Sequence, residues 1–95
     1  MKMGIIGLGN MGSAMAHGLL DNNIETFLYD RNLEKREAFN DFEKAKIMDS
    51  EVDVVKNADA VILTVKPYVY DEVLDKIKEA VKNQIIISFS FISDP

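Results

Sequence analysis

Apolar and polar residues are grouped along the chain in a pattern that predicts short buried strands alternating with helices. The run DAVILTV is the clearest strand, and it ends at Lys66-Pro67 because proline has no N–H for a central strand to use. Other short apolar runs occur on both sides of it. The predicted strands are residues 2–7, 25–30, 46–48, 59–65 and 85–91.

The segments between these strands have the apolar spacing of helices. Asn32 is a candidate N-cap, Ser50 begins a Ser-x-x-Asp capping pattern, and Pro67 suits a first helical turn. These signals predict helices at residues 11–20, 32–45, 50–57 and 67–81, the first ending near residues 21–23. Their expected apolar faces, in chain order, are Met11, Ala14, Met15, Gly18 and Leu19; Ala38, Phe39 and Phe42; Val52 and Val55; and Val69, Val73, Leu74, Ile77 and Val81.

The alternation of five strands with four helices predicts an α/β fold, a doubly wound (Rossmann-like) parallel sheet with right-handed crossovers and helices on both faces. A complete fold of this type normally adds at least one more strand, so residues 1–95 are expected to form a truncated version of it. The segment 85–91 would then end the sheet as an exposed edge. Such an edge favours homo-oligomer formation through this terminal strand.

Composition and charge narrow the possible partners. The 95 residues are 47% hydrophobic and 28% charged, as in one small globular domain. With 16 acidic against 11 basic residues, and no basic stripe with interleaved aromatics, nucleic acid is not expected to bind. The absence of cysteine excludes disulfides and thiolate chemistry. No apolar run suits a signal sequence or a membrane span, so we expect no membrane partner and a cytoplasmic location.

Three glycines, Gly7, Gly9 and Gly12, have G-x-G-x-x-G spacing between the first strand and the first helix. The first glycine permits a tight turn, the second lets the backbone approach a pyrophosphate, and the third lets the helix lie close to the sheet. Free N–H groups and the helix dipole favour a phosphate there. The spacing alone also fits a structural turn, but Asp30 at the end of the next strand favours a dinucleotide site.

The corner after the second strand carries two charges with opposite preferences. Asp30 is suited to bind a ribose 2′-OH and to repel a 2′-phosphate, whereas Arg31 is suited to pair with that phosphate or to stack on adenine. Both NAD and NADP therefore stay open as cofactors. The alternative interpretation makes Asp30 a turn residue and Arg31 a solvated charge.

The segments MGIIGLGNMGSAMAHGLL and VILTVKP together resemble the N-terminal coenzyme domain of the pyrroline-5-carboxylate reductase family. Hydroxyisobutyrate-type dehydrogenases also have a G-L-G-x-M-G loop, and a coenzyme domain of that type is an alternative. Those enzymes usually carry proline where this chain has Ala14, and they lack Lys-Pro after the fourth strand. Val65-Lys66-Pro67 therefore favours the reductase.

The resemblance implies reduction of 1-pyrroline-5-carboxylate to proline, in proline biosynthesis, with a hydride from NADPH or NADH. It also implies three groups of coenzyme-binding residues. They are Gly7, Leu8, Gly9, Asn10, Met11 and Gly12 at the pyrophosphate; Asp30, Arg31 and Asn32 at the adenosine ribose; and Val65, Lys66 and Pro67 along the groove.

The resemblance weakens at the C-terminal end of the chain. Family members resemble S-I-A-A-G after the fifth strand, where this chain reads SFSFI, and we expect Phe91 and Ile92 to crowd the nicotinamide. The family's substrate pocket and dimer core lie in a second, helical domain that is expected to be absent here. We therefore assign no catalytic residue and expect coenzyme binding without turnover. The alternative function is a non-catalytic module that self-associates or binds a partner.

Other polar residues are expected to have structural roles. His17 lies off the predicted apolar face, and Ser13 suits either a phosphate contact or a helix start. No metal site is expected, because the acidic groups near helix starts complement the helix dipole and have no histidine or cysteine nearby. These groups are Asp49, Glu51 and Asp53, and the pair Asp71 and Glu72.

Overall fold

The structure, a computed structural model, describes residues 1–89, and within that range strands and helices alternate. The strands are β1 (Met3–Ile6), β2 (Thr26–Tyr29), β3 (Ala45–Ile47), β4 (Ala60–Leu63) and β5 (Ile85–Ser88). The helices are α1 (Asn10–Asp21), α2 (Leu33–Glu37), α3 (Glu51–Asn57) and α4 (Pro67–Ile77). All five predicted strands are present, with ends within a few residues of the predicted ones; the predicted extension of β5 to Phe91 lies outside the described residues.

The strands form one parallel sheet in the order β3-β2-β1-β4-β5. From β1 the chain moves outward to β2 and β3, and then crosses back to β4 on the other side of β1. This order confirms the doubly wound, Rossmann-like fold. The carboxyl ends of β1 and β4 lie at the point where the strand order reverses, which is where open α/β sheets bind their ligands.

Both faces of the central strands are buried, as a parallel sheet requires. Ile5 of β1 packs in the cluster under α1, and its neighbour Ile6 packs in the cluster under α3 and α4. Ile62 and Leu63 of β4 divide between the two clusters in the same way. Each fully buried aliphatic side chain contributes about 1.5–3 kcal/mol, so β1 and β4 hold the centre of the fold firmly beneath the candidate site.

The predicted apolar face of α1 is correct in part, since Met15 and Leu19 pack at the margin of the core, but the centre of the buried face lies one position further along the helix. The buried residues are Gly12, Ala16 and Leu20, whereas the predicted Ala14 and Gly18 are exposed. Gly12 has no side chain to hold the helix away from the sheet, so the closest approach occurs there and the positions four and eight residues later follow it inward. The glycine contact and the apolar contacts of Ala16 and Leu20 together set the orientation of this helix.

The helix predicted over residues 32–45 is much shorter than expected. Asn32 caps it as predicted by accepting hydrogen bonds from the N–H groups of Glu34 and Lys35, but α2 ends at Glu37. Turns follow, because Phe39 must reach the core under α1 while Ala45 already pairs with Thr26 in the sheet. A continuous helix would not bring the chain back to the sheet edge in that distance.

The other two helices begin as predicted. Ser50 caps α3 by accepting a hydrogen bond from Asp53 N–H, but α3 buries Val54 together with Val55, and the predicted Val52 is only half-buried. Pro67 occupies the first turn of α4. The α4 face is largely as predicted, with Val69, Val73 and Ile77 buried and Leu74 and Val81 packed at its margin.

Among the described residues, β5 is an outer strand of the sheet, paired with β4. Ile85 is 56% exposed and Ile87 is 36% exposed, as expected for a strand at the edge. The predicted crowding by Phe91 and Ile92 lies outside the described residues. Within residues 1–89, no helix has the length and apolar character needed to cross a membrane.

Candidate functional site

The glycine loop between β1 and α1 is fixed by the chain's own packing at two of its three glycines. Gly7 has φ = +104°, a conformation that favours glycine, and a Cβ on it would lie 2.7 Å from the Thr64 carbonyl oxygen. A Cβ on Gly12 would overlap the Gly7 carbonyl oxygen and lie 2.5 Å from Thr64 Oγ1. Both glycines are therefore required for α1 to sit against the ends of β1 and β4.

Gly9 has a different environment from its two neighbours. Its φ of −73° suits any residue, and a Cβ on it would meet no atom within 4 Å. It is the N-cap of α1 and provides no side-chain cap, and the first helical hydrogen bond runs from Ser13 N–H to the Gly9 carbonyl. The N–H groups of residues 10–12 therefore lie before the first helical bond, next to open space at the positive end of the helix.

The Asp30 carboxylate connects the glycine loop to the corner after β2. Its Oδ2 accepts a hydrogen bond from Leu8 N–H at 2.7 Å, and its Oδ1 accepts one from Asn32 N–H at 2.8 Å. An ionised carboxylate has about four acceptor positions, so these two bonds leave room for a ligand hydroxyl. The turn role and the ribose role proposed for Asp30 as alternatives are thus compatible with each other.

Thr64 has a part in the site that the sequence analysis missed. It follows β4 directly, and its Oγ1 donates a hydrogen bond to the Gly7 carbonyl at 2.6 Å while its N–H donates to the Ile6 carbonyl at 3.0 Å. The sequence carries one signal for it, the single hydroxyl in the apolar run DAVILTV. Its partner lies 57 residues away, so only the pairing of β1 with β4 reveals the contact.

Replacing Thr64 with valine removes this hydroxyl and leaves the Gly7 carbonyl without that partner. We expect the free energy of unfolding to fall by about 1–3 kcal/mol. Urea unfolding followed by circular dichroism measures the change, and Thr64→Ser, which keeps the hydroxyl, is the matched control. A loss of stability in Thr64→Ser with none in Thr64→Val would show that the methyl group, and not the hydrogen bond, matters.

A cleft of about 190 Å³ opens at the carboxyl ends of β1, β2 and β4, bounded on one side by α4. Six of the predicted residues line it: Gly7, Gly9, Asp30, Arg31, Val65 and Lys66. Tyr68 also lines it, as do Tyr29, Lys35 and Glu51, which were not predicted as site residues. The other six predicted residues, Leu8, Asn10, Met11, Gly12, Asn32 and Pro67, form the loop, helix starts and corner around the cleft.

Acidic and basic side chains connect the walls of this cleft. Arg31 Nη2 lies 3.4 Å from Glu72 Oε2, and Lys76 Nζ lies 3.2 Å from the same carboxylate oxygen. Lys76 also lies 3.6 Å from Glu51, whose side chain is buried. The hydrogen bond with Glu72, followed by the charge of Glu51, raises the pKa of Lys76, which stays protonated. The four side chains thus form a continuous network from β2 across α4 to α3.

The remaining candidate residues have structural surroundings. Ser13 Oγ donates to the Leu8 carbonyl at 2.9 Å and so supports the loop. His17 is exposed, as expected, and its ring packs against Phe39 and Phe42 at centroid distances of 4.9 and 5.4 Å. Within residues 1–89 no group of three or more histidine, cysteine or acidic side chains is arranged to hold a metal ion.

A parallel sheet of this order, with a glycine loop opening a helix at the reversal point, defines a Rossmann-like domain of the NAD(P)-binding class. Residues 2–91 match the family model described as "NADP oxidoreductase coenzyme F420-dependent". The chain therefore belongs to that family.

Individual relatives agree with the resemblance seen in the sequence. Pyrroline-5-carboxylate reductase of Arabidopsis thaliana is 33% identical over 94 residues, which cover 92% of this chain and 33% of the relative. The Plasmodium falciparum pyrroline carboxylate reductase structure, with NADP bound, is 31% identical with a TM-score of 0.76, over 94% of this chain and 33% of its own. A Streptomyces aurantiacus imine reductase is 28% identical with a TM-score of 0.86, over 95% of this chain and 32% of its own.

These comparisons confirm the similarity to pyrroline-5-carboxylate reductases and add imine reductases to it. In each case the chain spans about a third of the relative's length. The comparisons therefore support the coenzyme-domain part of the resemblance, and the activity of the longer proteins belongs to the proposal below.

Proposed function

We propose that this chain is an NAD(P)H-binding domain of a reductase that acts on carbon–nitrogen double bonds, of the pyrroline-5-carboxylate reductase type. The observation that carries the proposal is the open space at Gly9. Gly7 and Gly12 are explained by packing within the chain, but nothing within 4 Å requires a glycine at position 9. A phosphate group that needs close access to the start of α1 explains that glycine.

The residues around this space fit the pyrophosphate and the adenosine ribose of such a coenzyme. The N–H groups of residues 10–12 are suited to bind the pyrophosphate, since they precede the first helical bond and α1 has no acidic residue in its first turn. Asp30 and Arg31 are suited to the adenosine ribose, and Val65 and Lys66 line the groove beside them. Asn32 and Pro67 begin the two helices that hold these walls in place.

The reaction class comes from the relatives. The two structures and the relative described above are named as imine or pyrroline-5-carboxylate reductases, and a bound NADPH or NADH would supply the hydride for reduction of a C=N bond. The part of this chain is to bind and orient the coenzyme. We assign no catalytic residue to it, propose residues 1–95 as a single coenzyme domain, and do not propose turnover by the chain alone. The cytoplasmic location expected from the sequence stays a prediction.

Isothermal titration of the full chain with NADPH and with NADH tests the proposal. We expect a saturable heat for at least one of them, with one coenzyme bound per chain. Circular dichroism of the same sample establishes that the chain is folded. A folded chain that gives no heat at millimolar concentrations of either coenzyme would contradict the proposed function.

A second candidate function, assembly through the sheet edge, is favoured by the exposure of Ile85 and Ile87 on β5. Sedimentation over a concentration series separates the two functions. A monomer that binds coenzyme supports the first, whereas an oligomer that is indifferent to coenzyme supports the second.

A further inference from the structure

The salt bridge between Arg31 and Glu72 joins opposite walls of the cleft. Arg31 follows β2 and lies beside Asp30, whereas Glu72 lies on α4 between the cleft-lining residues Val69 and Val73. One guanidinium nitrogen contacts one carboxylate oxygen at 3.4 Å, and both side chains are about half exposed. The contact is a single long one rather than a bidentate pair, so it is weak enough for another anion to displace Glu72 from Arg31.

We propose that Glu72 is a specificity-determining residue that competes with the 2′-phosphate of NADPH for Arg31 and thereby reduces the preference for NADPH over NADH. The proposal rests on the coenzyme function proposed above. The ribose 2′ position is the only place where the two coenzymes differ, and Arg31 lies next to the carboxylate suited to that ribose. Any phosphate that recruits Arg31 must first displace Glu72, whereas a 2′-hydroxyl has no need to do so.

Lys76 offers Glu72 a second cationic partner. It lies 3.2 Å from Glu72, one helical turn along α4, and also 3.6 Å from Glu51, which lies at the buried side of the cleft. Glu72 therefore still has a cationic partner when Arg31 turns to a phosphate. Because Lys76 also keeps the Glu72 carboxylate close to the cleft, the same acid is in place to recapture Arg31 when the phosphate leaves.

Cleft charges other than Glu72 are the same in the wild-type chain and in Glu72→Gln, so a comparison of the two chains isolates the effect of Glu72. Lys35 and Lys66 line the cleft and add positive potential, and Asp30 and Glu51 add negative potential. Asp30 is bound to Leu8 and Asn32 through backbone N–H groups, and removing it would disturb the loop. Glu72 is half-exposed, and within residues 1–89 its carboxylate pairs with the side chains of Arg31 and Lys76. Its charge can therefore be removed without disturbing the backbone.

The test is the pair of dissociation constants for NADPH and NADH in Glu72→Gln, measured by titration of the full chain. We expect the Kd for NADPH to fall about two- to five-fold, in line with the strength of an exposed ion pair, and the Kd for NADH to stay unchanged. Asp75→Asn is the matched control, since it removes the same charge from the same helix but its carboxylate pairs with Lys78 at 2.9 Å. In an Arg31→Ala background, Glu72→Gln should have no effect on NADPH binding.

The other outcomes distinguish a failure of the proposed competition from a failure of the proposed coenzyme function. The competition is overturned if Glu72→Gln changes the Kd values for both coenzymes equally or changes neither. It is also overturned if Glu72→Gln shifts the Kd for NADPH no more than Asp75→Asn does, or shifts it equally in the Arg31→Ala background. In all of these cases the proposed coenzyme function stands. If neither the wild-type chain nor any variant binds NADPH or NADH although circular dichroism shows them folded, the proposed function fails and the competition fails with it.

Discussion

A Gly12→Ala chain is expected to lose most of its stability or to fail to fold. The added methyl group would overlap the Gly7 carbonyl oxygen and crowd Thr64 Oγ1. The first of these atoms belongs to the backbone and cannot rotate away, so α1 must move off the sheet. Because Ala16 and Leu20 pack on the same face of α1, this movement would also open the core beneath them.

The magnitude follows from overpacking against a backbone that cannot yield. Inserted methylenes in well-packed sites cost about 1–3 kcal/mol and occasionally more, and we place Gly12→Ala above about 3 kcal/mol. Small domains are stable by about 5–15 kcal/mol, so this single methyl removes a large part of the total. For a domain of this size, the midpoint of thermal unfolding should fall by more than about 12 °C.

Gly18→Ala is the matched control within the same helix. Gly18 is exposed, and a Cβ on it would meet nothing within 4 Å. We expect this variant to gain about 0.5–1 kcal/mol, because alanine favours the helix interior. Thermal unfolding by circular dichroism compares the two, and a Gly12→Ala chain that melts together with Gly18→Ala would contradict the assigned contact at Gly12.

The fold was predictable because its signals are local. Apolar runs marked the strands, and Asn32, Ser50 and Pro67 marked helix starts that the structure confirms. Apolar spacing located only part of the buried side of α1, Met15 and Leu19, and missed its centre, since Gly12 carries no apolar side chain and yet makes the closest contact. The length of α2 was missed because Phe39 and Phe42 suit both a helix face and a turn that buries them.

The candidate site was predictable where sequence neighbours form it and not where distant residues do. The glycine loop and the Asp30-Arg31 corner are motifs with local spacing, and they lie together at the ends of β1 and β2. Thr64 bonds to Gly7 across 57 residues, and Arg31 meets Glu72 across 41. Such contacts depend on the strand order and on the rotation of the helices, and neither can be predicted from the residue pattern of a single segment.

The same distinction separates the roles of the three glycines in the loop. Gly7 and Gly12 are needed because the chain itself fills the space that their side chains would occupy. At Gly9 the chain leaves the space open, so only the proposed coenzyme would require glycine there. Substitution at Gly9 should therefore separate coenzyme binding from folding, which substitution at Gly7 or Gly12 cannot do.

Gly9→Ala is accordingly expected to keep the fold and lose the coenzyme. The position has φ = −73°, so the free energy of unfolding should change by less than about 1 kcal/mol, the typical cost of alanine at an N-cap. The methyl group would stand between the start of α1 and the pyrophosphate, and the Kd for NADPH and NADH should rise about 10- to 100-fold, as expected for the loss of a charge-assisted hydrogen bond.

Titration and thermal unfolding of the same samples measure both quantities, with Gly18→Ala as a control that should bind like the wild-type chain. Weakened binding in a Gly9→Ala chain of normal stability would show that the open space at the helix start is where the phosphates are bound. Unchanged affinity would remove that assignment, because the one glycine of the loop that the chain's own packing leaves unexplained would then have no part in binding. A large loss of stability would instead mean that position 9 is constrained by the fold, as positions 7 and 12 are.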